Sequence, residues 1–174
     1  KECIIKTKND KRIAAKNVII ASHYPCYDGK GFYFARLKPD RSYIIGIEME
    51  SFPDAHFINV EEPAISLRHI PEEKILLISG ENHKVGHKDD DHYQKLKDFA
   101  KKVFNNDNVK YEWSAQDYIS HDYLPYAGYI NSDYRNIFIA TGYRKWGLTN
   151  GIAAAMIIKD LILDGTSHYE ELYG

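Results

Sequence analysis

The stretch Asn136-Ile-Phe-Ile-Ala-Thr-Gly-Tyr-Arg-Lys-Trp-Gly-Leu-Thr-Asn-Gly-Ile-Ala-Ala-Ala-Met-Ile-Ile-Lys-Asp-Leu-Ile-Leu-Asp-Gly165 decides the fold class. It reads as a buried strand over 137–140, a glycine-bearing loop over 141–150 and a small-residue helix over 151–163. Thr149 and Asn150 are good N-cap residue types, so the spacing predicts that the helix begins just after them. The start of such a helix carries unpaired backbone N–H groups and the positive end of the dipole, which suits an electron-rich group. Gly142, Gly147 and Gly151 leave room for something flat to approach the backbone. Taken on spacing alone, an ordinary strand–loop–helix connection with a well-capped helix is the favoured account, because glycine-rich loops by themselves are weak motifs.

Four blocks in order carry more information than that loop alone: Val18-Ile-Ile-Ala-Ser-His-Tyr-Pro25, Ile75-Leu-Leu-Ile-Ser-Gly-Glu-Asn-His83, Trp113-Ser-Ala-Gln-Asp-Tyr-Ile-Ser-His-Asp-Tyr-Leu-Pro-Tyr-Ala-Gly128 and Ala140-Thr-Gly-Tyr-Arg-Lys-Trp-Gly-Leu-Thr-Asn-Gly151. Together they span nearly the whole chain. They resemble FAD-dependent oxidoreductases of the glycine/D-amino acid oxidase superfamily. The Trp-Ser-x-Gln-Asp and Arg-Lys-Trp-Gly runs resemble a subgroup that often carries a downstream Rieske 2Fe-2S domain. The resemblance implies that Gly142, Gly147, Leu148, Thr149 and Asn150 lie at the pyrimidine edge of the flavin, with Ala21 and Ser22 near its adenosine part. In such enzymes the flavin performs the redox step and the protein supplies binding, orientation and electrostatics. The family's Gly-x-Gly-x-x-Gly fingerprint for the pyrophosphate does not occur here. The chain also enters a strand at once, without a methionine. It is therefore expected to be a fragment lacking most of the nucleotide-binding half.

The 174 residues, 44% hydrophobic, suffice for one good core and a small appendage. A net charge of −2, with both signs interspersed, gives no basic face for nucleic acid. No apolar run approaches the ~18–20 residues of a membrane span. Cys3 and Cys26 match neither a metal nor a redox spacing, and reduced thiols in the cytoplasm are the simplest account. Fourteen Tyr, seven Phe and two Trp suit a walled pocket or a β-rich core alike.

Along the chain, residues 1–25 read as a hairpin of strands 3–7 and 17–21 around the Asn9-Asp10 turn, the second strand apolar enough for burial on both faces. Residues 32–37 suit a strand or a short helix. Strands over 41–48, 55–59, 64–70 and 74–79, at spacings of roughly ten residues, suggest an antiparallel sheet. An amphipathic helix runs from Asp89-Asp-Asp91 to about Phe104, its acidic start complementing the dipole. A strand over 109–114 and a loop over 115–128 complete the pattern. The expected fold is α+β: a mainly antiparallel sheet with flanking helices, plus remnant strands and the C-terminal helix of an FAD-binding α/β domain. The expected division is 1–25 and 135–174 for that remnant and 26–134 for a substrate-binding domain.

Substrate contacts follow less directly. In amino-acid oxidases a cationic side chain pairs with the substrate carboxylate, favouring bidentate Arg geometry. Where several relatives have an Arg in the 113–128 block, this chain has Ser114-Ala-Gln-Asp117, which places an amino-acid substrate in question. Arg68, on an inner strand, and Lys145 beside Trp146 are the substitutes, with an exposed salt bridge as the alternative role for Arg68. Tyr126 lines the pocket or packs, and Arg144 faces the flavin or solvent. His23 is read as structural. His83, His87 and His92 lie near Asp89, Asp90 and Asp91, but their spacing is unlike the i, i+4 pair of zinc helices, so no metal is expected.

The leading expectation is the substrate-binding part of an FAD-dependent oxidoreductase that oxidises an amine or amino-acid-like small molecule by hydride transfer. Its partners would be that substrate and the remainder of its own FAD domain. A self-contained ligand-binding or interaction domain without flavin is the alternative, and a metal-dependent hydrolase built on the histidines is a third.

Overall fold

The structure, a computed structural model, describes residues 2–86 and 91–173. His87, Asp89 and Asp90 therefore lie outside the described residues. In chain order the elements are β1 (Cys3–Lys6), β2 (Arg12–Ala15), β3 (Val18–Ile20), α1 (Tyr33–Arg36), β4 (Leu37–Glu48), β5 (His56–Ile58), β6 (Ser66–Ile70) and β7 (Ile75–Lys84). They continue with α2 (His92–Phe104), β8 (Val109–Ser120), β9 (Tyr126–Asn131), β10 (Tyr134–Thr141), α3 (Gly147–Asp164) and α4 (Glu170–Tyr173). The α+β class expected from sequence is what is found. The chain forms two compact units, residues 1–38 with 117–174, and residues 39–116.

In the first unit, β3, β10 and β9 form a sheet in which β10 pairs parallel with β3 and antiparallel with β9. α3 covers one face. Ala154, Ile157, Ile158 and Leu161 recur at the i, i+3, i+4, i+7 spacing of one helical face and pack on Ala127, Phe138 and Ala140. Gly165 in the left-handed region ends the helix, its N–H donating to the Leu161 carbonyl. On the other side Tyr33 and Leu37 join Ile20, Ile130 and Ile139 in a second cluster.

In the second unit, the sheet order is β5-β6-β7-β4-β8, with antiparallel pairing of β5 to β6, β6 to β7 and β7 to β4. Strand alternation puts Ile45, Ile47, Leu76 and Ile78 on one face, where they meet Leu96 and Ala100 of α2. The Asp91 carboxylate accepts from the Gln94 N–H at 3.1 Å and caps that helix. Among the described residues, no helix is long and apolar enough to cross a membrane.

Several sequence expectations are corrected. The hairpin partner of β1 is β2 rather than 17–21, because the chain reverses tightly between Thr7 and Lys11, whose backbones bond to each other. β3 pairs instead with β10, and it is buried on one face only, since Ile19 is 51% exposed. The region 32–37 opens with α1, and the expected loop over 115–128 belongs largely to β8 and β9. The first compact unit includes residues 26–38 and 117–134, since Tyr33, Leu37 and Ile130 share its core. Finally, α3 begins at Gly147, not at Gly151. Trp146 holds the cap position without a side-chain cap bond, and the Asn150 N–H already donates to the Trp146 carbonyl. Thr149 and Asn150 are thus inside the helix and cap nothing.

Candidate cofactor site at the start of α3

The geometry of this region follows from β10 running straight into a tight reversal. Thr141 ends the strand fully buried, its hydroxyl donating to the His23 carbonyl. Gly142 follows at φ +78°, a conformation that only glycine adopts without strain. Arg144, also at positive φ, donates its N–H to the Tyr118 carbonyl at 3.0 Å and lays its guanidinium over the Tyr123 ring at 4.7 Å. Trp146 then donates to the Tyr143 carbonyl, and the helix begins.

In a helix that starts at Gly147, the first amides have no acceptor within the helix. Because the Asn150 N–H is already committed, the free set is that of Gly147, Leu148 and Thr149. The dipole adds positive potential at the same point. The flank is open: a Cβ built at Gly151 meets nothing within 4 Å, and one at Gly147 meets only the Tyr143 ring, at 3.9 Å. Beside Gly151 lies an apolar cleft of about 580 Å³, bounded by Ile19, Ala21, Ala140, Tyr143, Ala154 and Ile158. Burial pushes the Tyr143 phenol above its ordinary pKa, so this ring contributes a neutral, largely apolar wall.

The structure brings Ala21, Gly142, Gly147, Leu148, Thr149 and Asn150 into one unit, with Ala21 in the same cleft as Gly151. Ser22 is spent locally, its hydroxyl donating to the Tyr24 carbonyl at 2.7 Å and accepting from the Cys26 N–H at 3.1 Å. Of the substrate candidates, Lys145 and Trp146 are exposed at the start of α3. Tyr126 carries the Arg36 guanidinium at 4.2 Å over its ring and meets Tyr33 edge-on. Arg68 lies in the second unit, between His56 and Leu77 in the sheet register. Its neighbour Leu77 shares the open sheet face with Ile75 and Tyr111, opposite the face that α2 covers. The His23 ring packs edge-on against Tyr118 at 5.0 Å.

Among the described histidines, both ring nitrogens of His83 have partners, the Tyr43 hydroxyl and the Lys84 carbonyl, each at 3.0 Å. The rings of His83 and His92 stack at 4.4 Å, and His92 Nδ1 lies 3.5 Å from a Glu81 carboxylate oxygen. This is a packed aromatic stack, and no group of metal ligands occurs among the described residues. Sequence reasoning missed Tyr143 as a wall of the cleft; its place directly after Gly142 was the available signal.

Comparisons with known proteins give the family and the fold. The family model described as FAD dependent oxidoreductase (DAO) matches residues 3–161. A protein of Bacillus subtilis (strain 168) named as a Rieske 2Fe-2S iron-sulfur protein, YhfW, is 33% identical over 97% of this chain and 34% of its own length. Among solved structures, glycine oxidase from Geobacillus kaustophilus superposes with a TM-score of 0.70 at 17% identity, covering 91% of this chain and 44% of that one. L-proline dehydrogenase from P. horikoshii gives 0.75 at 13% identity, covering 98% and 48%. The chain belongs to the DAO family, whose members are FAD-dependent oxidoreductases. It spans about a third of the curated relative and just under half of these solved chains.

Proposed function

We propose that this chain is part of an FAD-dependent oxidoreductase that oxidises the C–N bond of an amine or amino-acid-like small molecule. The observation that carries this reading is the start of α3: three uncommitted amides, a glycine-lined opening and an apolar cleft lie side by side. That donor set and shape suit a flat, electron-rich ring, and FAD, when bound, would supply a hydride acceptor. The amides of Gly147, Leu148 and Thr149 would stabilise negative charge developing beside them. Gly142 turns the chain without strain, and Ala21, Ala140 and Ala154 give the cleft an apolar wall. Lys145, Trp146 and Tyr126 in the first unit, and separately Arg68 in the second, are the groups assigned to substrate. For Tyr126 the Arg36 contact favours a packing role, and for Ser22 its self-directed hydroxyl favours a turn role over cofactor contact.

The reading extends to the remainder of an FAD domain as a partner, supported by exposed apolar residues at Ile19, Ile152, Met156 and Leu163. The name of the Bacillus subtilis relative supports a further Rieske 2Fe-2S domain in the whole protein. The two unbridged cysteines suit a reducing compartment, and the reading places the protein in the cytoplasm. The test is the visible absorbance of the whole natural protein, purified without added cofactor. A two-banded flavin spectrum that bleaches on substrate addition is expected. A colourless protein that also fails to take up FAD overturns the reading and favours a flavin-free binding domain.

A further inference from the structure

A second cavity in the first unit shares no lining residue with the cleft beside Gly151. It holds about 340 Å³ between α1, the outer edge of β9, the turn after Asn131 and α4. Its wall is unusual in charge. Lys30, Arg36 and Arg135 supply three cations, while Glu170 supplies one carboxylate. Among the described residues none of the three cations forms an ion pair. The nearby Asp28 accepts from the backbone N–H groups of Phe32 and Tyr33 and keeps its negative charge, which acts on Tyr33 in the cavity wall. The lining residues alone therefore carry a formal charge of +2, three positive less one negative, and Asp28 beside them brings the local sum to +1.

The same wall is aromatic. The Arg36 guanidinium lies 4.2 Å from the Tyr126 ring centroid and 5.3 Å from that of Tyr33, and Arg135 lies 4.7 Å from that of Tyr129. A guanidinium carries its N–H donors in its own plane, so a contact with a ring leaves donors for an anion. Among the described residues one hydrogen bond from these donors is seen, Arg36 to the Gly31 carbonyl at 3.5 Å. Tyr33 donates its hydroxyl to the Ile130 carbonyl at 3.0 Å and anchors the floor. Its phenol stays neutral, since burial pushes its pKa up to about 12. The volume falls within the range of small-molecule pockets.

We propose that this cavity binds a small organic phosphate carrying a flat ring. The phosphate would face the edges of Arg36 and Arg135 and the Lys30 ammonium, and the ring would lie against the tyrosines. Three cations against one lining carboxylate favour an anion, and a phosphomonoester, at roughly −1.5 to −2 near neutral pH with three acceptor oxygens, can engage all three at once. The edges of the two guanidinium forks suit paired oxygens, and tyrosine faces hold a planar group without demanding its identity.

The test is calorimetric titration of the protein with phenyl phosphate, inorganic phosphate and phenol, repeated with Arg135→Ala and Arg36→Lys. Arg135 is exposed, so its removal leaves folding intact, which circular dichroism verifies. Phenyl phosphate is expected to bind about tenfold or more tighter than inorganic phosphate, and phenol to bind negligibly. Arg135→Ala should weaken phenyl phosphate about five- to tenfold, the loss of one charge-assisted contact. Saturating FAD should leave that affinity unchanged, because the start of α3 shares no residue with this cavity. Absence of phenyl phosphate binding, equal binding of phenol, affinity unchanged by both substitutions, or competition by FAD would each overturn the proposal.

Discussion

Two glycines nine residues apart, Gly142 and Gly151, should respond to alanine with opposite signs, and the difference is set by backbone geometry. At Gly142 the backbone stands at φ +78°, where an L side chain costs about 1–2 kcal/mol. The added Cβ would lie 3.2 Å from Leu37 Cδ2 and 3.7 Å from Ser120 Cβ. Leu37 is only 5% exposed and cannot swing into solvent, so crowding adds about 1 kcal/mol. Restricting the unfolded chain returns roughly 0.5–1 kcal/mol. The net expectation for Gly142→Ala is a loss of about 1–2 kcal/mol. At Gly151 the residue is inside α3, and the new methyl meets nothing within 4 Å. Gly151→Ala should therefore gain about 0.5–1 kcal/mol through helix propensity alone.

Urea denaturation followed by circular dichroism reads both values, provided that the slope with denaturant is unchanged. The pair has a second readout. If the open flank of Gly151 receives a flavin, the same methyl that raises stability should lower FAD uptake by the whole protein. A neutral or stabilising Gly142→Ala, or a destabilising Gly151→Ala, would refute the conformational argument. A stable Gly151→Ala that keeps full FAD affinity would instead refute the placement of the ring beside it.

Asp91→Ala should cost about 1 kcal/mol, because it removes the acceptor of the Gln94 N–H at the start of α2, and urea midpoints measure it. Thr149→Ala should change stability by less than about 0.5 kcal/mol, since the residue is inside α3 and caps nothing; a loss near 1 kcal/mol would restore it as a cap. The Tyr33 phenol is raised from 10.0 to about 12 by burial, so the folded state binds its proton more tightly than the unfolded one. The associated stability is complete below about pH 10 and is lost as the pH rises through 12; Tyr33→Phe should flatten that decline, read as unfolding free energy against pH. Met156→Lys, at a side chain 57% exposed, should leave the stability of this chain within about 0.5 kcal/mol of wild type, while lowering FAD uptake by the whole protein.

The second unit was the more legible half because its strands alternate. Ile45 and Ile47, and Leu76 and Ile78, announce one buried face each, and Leu96 and Ala100 give the matching helical stripe. β2 was missed because Arg12–Ala15 is almost wholly exposed and carries no burial pattern. The parallel pairing of Ile137 with Val18 joins residues more than a hundred positions apart, and no local signal encodes it. The start of α3 was misplaced for a different reason. Thr149 and Asn150 are strong caps by type and Gly147 is a weak helix former, yet the turn bond from Trp146 to Tyr143 starts the helix earlier. At the candidate site, the glycines and the amides of residues 147–149 were legible as a pattern. The self-directed hydroxyl of Ser22 and the Arg36 guanidinium over Tyr126 were not, because both depend on neighbours that spacing cannot identify.

The misplaced helix start strengthens the functional argument. Had Thr149 or Asn150 been the cap, a side-chain oxygen would have satisfied an early amide, and the helix would have closed its own positive end. Instead the cap position holds Trp146, whose side chain accepts nothing, and Leu148 in the first turn is 91% exposed. The same helix is apolar nearly all round, yet it buries only the Ala154, Ile157, Ile158 and Leu161 stripe, leaving Ile152 and Met156 more than half exposed. A helix of that composition ordinarily has neighbours on both sides. An uncapped end and an uncovered apolar flank are each unfavourable in water, and they adjoin the apolar cleft beside Gly151. One occupant class relieves both: a group with an electron-rich edge for the amides and a flat apolar body for the cleft, held there by further protein packed on the exposed flank. That is the physical content of assigning a flavin to this end of α3, and it rests on features that a helix selected only for stability would not keep.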